Sequence, residues 1–101
     1  KSLLKSRDYL KDIKPQDVSS LESALKKEPE NNDIRFKLAR NLIAKKLFEE
    51  AINNLLYIVE NKKDWNDGAA QKELLELFSL LGNNNTFTME GRTKLSNLIF
   101  K

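Results

Sequence analysis

The side chains that usually carry covalent and redox chemistry are missing from this chain. It has no histidine and no cysteine. That removes thiolate nucleophiles, thiol–disulfide exchange, thiolate zinc sites and imidazole general bases. The nearest approach to an acid–base group is Asp67, Glu73 and Glu76. No second catalytic group accompanies them, so they read as solvated helix charges, and neither glycosidase nor metal chemistry is supported. The lysine pairs at 26–27, 45–46 and 62–63 fall near helix C-termini, where cations complement the macrodipole. Aromatic residues are not interleaved with them, as a nucleic-acid stacking surface would require.

The composition points the same way. Apolar residues make up 40% and charged residues 33% of the chain, a balance that is globular and not disordered. The 18 basic and 15 acidic residues are interspersed, so the net +3 describes a solvated surface and not a polyanion footprint. Three glycines and two prolines are too few for the turns of an all-β fold. At 101 residues the chain is one domain. No apolar run approaches the roughly 20 residues that span a bilayer, and no signal-peptide pattern is present, so a cytoplasmic protein is expected. The first residue is Lys1, which suggests a fragment whose true N-terminus lies upstream.

Six helices are expected. Leu3, Leu4, Tyr9, Leu10 and Ile13 suggest a short helix over 2–12, closed at Lys14-Pro15. Val18, Leu21, Ala24 and Leu25 line one face of 16–27, and Pro29 stops it. Asn31-Asn32-Asp33 caps a helix over 33–46 with Ile34, Leu38, Ala39, Leu42 and Ile43 in one stripe. Phe48, Ala51, Ile52, Leu55, Leu56 and Val59 form the stripe of 48–61. Asn66 caps 67–81, with Ala70, Leu74, Leu75, Phe78 and Leu81 inward and Gly82 as the stop. Thr86 caps a last helix over 87–100 carrying Met89, Leu95, Leu98, Ile99 and Phe100. Every connection is short, which makes sequential helices antiparallel neighbours.

Residues 32–65 fit a 34-residue unit that resembles the tetratricopeptide repeat. Ala39 and Ala51 stand where that pattern needs small residues, and Leu38, Leu42, Phe48 and Leu55 where it needs large apolar ones. Pro29 and Ala24 hold the same frame in the preceding unit. Lys46 departs from the usual turn glycine, Arg35 from the aromatic at position 4, and Lys63 from the closing proline. The resemblance implies an all-α fold: antiparallel hairpins stacked as a short right-handed superhelix of about five to six helices. Residues 1–15 would be the end of an earlier repeat or a linker, 16–31 the second half of a repeat, 32–65 a full repeat, and 66–101 an atypical capping pair.

A finer resemblance rests on Trp65-Asn66-Asp67-Gly68-Ala69-Ala70 running into Leu74-Leu75, Leu77-Phe78 and Leu81-Gly82. With Arg92, Leu95, Leu98, Ile99 and Phe100 beyond it, this block is similar to the C-terminal helical repeats of thioredoxin-like co-chaperones, the chaperedoxin family. It implies a bacterial, cytoplasmic protein with a thioredoxin-fold domain upstream. Its repeats would bind unfolded clients and a folding chaperone such as the chaperonin, with no cofactor, metal, membrane or nucleic acid. The alternatives are a structural spacer or oligomerisation scaffold, or a tetratricopeptide adaptor with no thioredoxin domain.

In such stacks the first helix of each pair lines a groove. Phe36, Lys37, Arg40 and Ile43 are the candidate groove residues, with Asp33 beside them. An aromatic flanked by two cations suits an extended peptide with acidic and apolar side chains. The alternative for Phe36 is packing against the preceding unit. The carboxylate clamp of chaperone-docking repeats needs Lys and Asn where this chain has Phe36 and Arg40, so that clamp is not expected. Trp65 reads as a staple of the following helix, and Gly68 as the residue that lets helices approach. Met89, Leu98, Ile99 and Phe100 form a candidate C-terminal docking patch. The alternative is a last helix folded back on Leu77, Phe78 and Leu81.

Overall fold

The computed structural model describes residues 17–100. The expected helix over 2–12 lies outside them. Five α-helices are present among the described residues: α1 (Val18–Lys27), α2 (Asn32–Ala44), α3 (Phe48–Asn61), α4 (Ala69–Leu81) and α5 (Thr86–Ile99). The fold is all-α. Consecutive helices pack against each other, and α3 packs against α5 as well as α4. Two hairpins, α2–α3 and α4–α5, stack with α1 against α2.

Local chemistry sets most helix starts. The Asp17 carboxylate accepts from the Ser19 amide, and the Asn31 side chain from the Ile34 amide. At α5 the cap is Asn85, which accepts from the Phe87 amide at 2.8 Å, and not Thr86. Helix α3 has no side-chain cap; Glu49 and Glu50 in its first turn meet the positive end of the dipole. Between α2 and α3 the backbone turns through Lys46, at φ 65°. That is the left-handed conformation for which the repeat ordinarily uses glycine.

The start of α4 departs from expectation. Asn66 does not cap a helix at residue 67. Asn66 (φ 49°, ψ 49°), Asp67 (φ 57°, ψ 34°) and Gly68 (φ 78°, ψ 27°) are successive left-handed residues. The Ala69 amide closes the turn by donating to the Trp65 and Asn66 carbonyls. Asn, Asp and Gly are the residue types that visit this region with least strain. The triplet reads equally well as a helix cap, which is why the turn was hidden in the sequence.

The core is one cluster of buried side chains drawn from all five helices, including Leu25, Leu42, Leu55, Leu74 and Leu95. Ala39 and Ala51 are fully buried where α2 and α3 meet the stack. Leu75, expected inward, is 56% exposed, while Leu77 is fully buried in its place. The close approach of helices occurs at Gly91, not Gly68. A Cβ on Gly91 would lie 2.7 Å from the tip of the Phe78 ring, whereas nothing stands within 4 Å of one on Gly68.

Candidate functional site

The spacing of buried residues on α2 fixes which face it leaves open. Leu38, Leu42 and Ile43 point into the core. At about 100° per residue, Asp33, Lys37, Arg40 and Ala44 then share the outward face. Lys37 and Ala44 are exposed and Arg40 is partly exposed. On α4 the same construction from Leu74 and Phe78 puts Lys72, Glu76 and Ser79 outward. The layer formed by α2 and α4 thus presents Lys37, Arg40 and Lys72 together with Asp33 and Glu76.

This shifts the expected groove by one helical step. Ile43 is 1% exposed and is not a groove residue. It lies on the flank of α2 turned toward α4, where packing removes it from water. Phe36 shares that flank and is half-buried. Its ring meets Trp65 at 5.4 Å between centroids, tilted by 56°. Edge-on and tilted contacts of this kind are the favourable geometry for two aromatic rings. Phe36 therefore packs forward onto the next hairpin and not back onto the preceding one. Trp65 is partly buried against the core, joining the turn before α4 to α2.

Arg40 and Glu73 cross between the same two helices. The Arg40 Nε donates to the Glu73 carboxylate at 3.2 Å. Glu73 is buried at 8% exposure, so it is not the solvated charge that its spacing with Asp67 and Glu76 implied. Burial of a carboxylate demands a partner, and Arg40 supplies one. Arg40 thus does structural work at the groove edge, which leaves Lys37 as the free-standing cation of α2.

Arg35, the departure at position 4, has its own role. Its guanidinium stacks over Tyr57 at 3.8 Å and donates to the Asn54 side chain and the Pro29 carbonyl. It ties α2 to α3 and to the turn after α1, taking the position of the usual aromatic through a cation–π contact.

The C-terminal patch divides. Leu98 and Ile99 are partly buried and pack against the core. Leu98 lines a cleft with Leu56 and Tyr57 of α3. Met89 is 58% exposed and Phe100 81%. Phe100 falls within about 20° of Met89 around the helix, while Leu98 lies about 180° away. Four apolar residues in sequence proximity thus serve two opposite faces.

Among the described residues no group of three His, Cys, Asp or Glu side chains is arranged to hold a metal, and no helix is long and apolar enough to cross a membrane. The stacked hairpins, the buried Ala39 and Ala51, and the outward layer of α2 and α4 are the anatomy of a helical repeat. A family model for the tetratricopeptide repeat matches residues 12–100. The chain belongs to the tetratricopeptide-repeat family. Tetratricopeptide domains are protein-binding modules and typically non-catalytic. Searches of curated proteins and of solved structures gave no match.

Proposed function

We propose that this tetratricopeptide domain is the protein-binding arm of a thioredoxin-like co-chaperone, holding segments of unfolded clients and passing them to a folding chaperone such as the chaperonin. The observation that carries the reading is the Trp65–Gly82 block joined to the Arg92–Phe100 ending. In the structure that block builds the second hairpin and its left-handed entry turn. An arm of this kind would work in a bacterial cytoplasm, behind a thioredoxin-fold domain in the parent chain.

The outward layer of α2 and α4 suits such a task. Lys37 and Lys72 offer charge to acidic side chains of an extended segment, and the half-buried Phe36–Trp65 pair offers aromatic surface beside them. Mixed charge and modest apolar area favour reversible holding of many segments over tight capture of one.

The test uses a chemically denatured globular protein and a purified chaperonin. The proposal expects the domain to slow aggregation on dilution and to bind the chaperonin at micromolar concentration. Absence of both sinks it. The native message upstream of Lys1 separates the forms of the idea: a thioredoxin-fold domain there supports the co-chaperone, and further repeats alone leave a general adaptor.

A further inference from the structure

The end of the stack beyond α4 and α5 carries a surface distinct from the groove. On α4, Glu73 lies one residue before the inward Leu74 and meets Arg40 of α2. Leu75, one residue after Leu74, therefore faces away from α2. On α5, Phe87 lies one residue before the buried Thr88 and borders α3 with Ile52 and Glu90. Met89, one residue after Thr88, therefore faces away from α3. Both point off the same end of the stack. Leu75 is the counterpart of Ile43, which follows the inward Leu42 on α2 in the same way. Ile43 is 1% exposed under the next hairpin and Leu75 is 56% exposed.

The face is continuous. Leu75 stands six residues before the end of α4 and Arg92 six residues after the start of α5. Each is about 9 Å from the connecting turn, so they are level across the antiparallel pair. Met89 sits one turn toward the loop, and Phe100 extends the face at its far end. Its charge has one sign. Within about 60° of Leu75 or Met89 around their helices, the ionisable groups are Lys72 and Arg92. The nearest carboxylates, Glu76 and Glu90, are turned about 100° away.

We propose that this end face binds an amphipathic helix of a partner protein whose apolar stripe covers Leu75 and Met89 and whose flanking carboxylates meet Lys72 and Arg92. The helix lies where the first helix of a further hairpin would lie, so it adds one layer to the stack. Charge complementarity selects it over a basic helix, and the shape left by the stacking of α2 and α4 selects a helix over an extended strand. The inference does not rest on the groove reading.

The experiment is fluorescence anisotropy on the full chain with labelled helical peptides the length of α5, 14 residues. One peptide carries leucines at helical spacing flanked by glutamates, a second has lysines in their place, and a third is the first in scrambled order. The proposal expects saturable binding of the glutamate peptide alone. Leu75→Gln weakens it by about tenfold or more. Arg92→Glu reverses the preference toward the lysine peptide. Both sites are exposed, and circular dichroism verifies that the variants fold. Binding blind to flank charge, binding unchanged in Leu75→Gln, or no saturable binding overturns it. So does self-association of the wild type that Leu75→Gln abolishes, which would make a second copy the occupant. Loss of end-face binding leaves client binding at Lys37 untouched, so the two ideas fail separately.

Discussion

Replacing Gly91 by alanine tests the packing of the second hairpin where local and tertiary preferences oppose each other. In a helix interior, alanine is favoured over glycine by about 1 kcal/mol. The added Cβ would lie 2.7 Å from both Cε1 and Cζ of Phe78 and 3.4 Å from Cγ2 of Ile52. Carbon atoms are most favourable at about 3.5–4.0 Å, so the overlap with the ring is roughly 1 Å. Phe78 is fully buried and has no room to swing aside. Overpacking of this kind costs about 1–3 kcal/mol. The net result is a loss of about 1 kcal/mol, which in a domain this size lowers Tm by about 4–8 °C. Urea unfolding of four proteins measures it: wild type, Gly91→Ala, Phe78→Leu and the double variant. Leucine lacks the ring tip, so in that background Gly91→Ala should become neutral or stabilising, with a coupling of about 1–2 kcal/mol. A stabilised single variant, or an equal cost in both backgrounds, refutes the reasoning.

Three further outcomes follow from the same structure. Lys46→Gly should stabilise the domain by about 1 kcal/mol in urea, because a left-handed lysine becomes a glycine at no loss of burial. Thr88→Val should raise the urea midpoint by an amount corresponding to about 1 kcal/mol, since the Thr88 hydroxyl is fully buried with no hydrogen-bond partner. Arg40→Met should cost about 1–3 kcal/mol by removing a donor from the buried Glu73 carboxylate, whereas Lys37→Met should change stability by less than about 0.5 kcal/mol.

The helices were legible because their stripes are strong and their caps conventional. Leu38, Leu42, Leu55 and Leu74 stand inward at the spacing that 3.6 residues per turn demands. Asn31 caps α2 from the Asn-Asn-Asp cluster that marked it. What periodicity could not resolve is which flank of a helix meets a neighbour in the stack. Ile43 and Leu75 have the same relation to their inward leucines, yet one is covered by the next hairpin and the other is open. Likewise Leu98 and Met89 are both apolar and close in sequence, and only the position of α3 separates their faces. The entry to α4 failed for a different reason. Asn, Asp and Gly serve both as helix caps and as left-handed residues, and the choice lies in the closure between Ala69 and Trp65. Gly91 carried a usable signal: a glycine inside a helical pattern marks either a cost or a close approach, and here Phe78 fills the space a side chain would need.

For the groove, the informative contrast is between Lys37, which faces outward and does no packing, and Arg40, which holds Glu73. A loss of binding in Arg40 variants would mix stability with recognition. Lys37 reports recognition alone.

The most direct measurement is an amide NMR titration of the domain with a reduced, permanently unfolded model protein. The account predicts shifts concentrated on Asp33, Lys37 and Arg40 of α2 and on Lys72 and Glu76 of α4, weakened by Lys37→Glu in a protein of unchanged stability. Shifts confined to α1 and α3, or none at saturating unfolded protein, would contradict it.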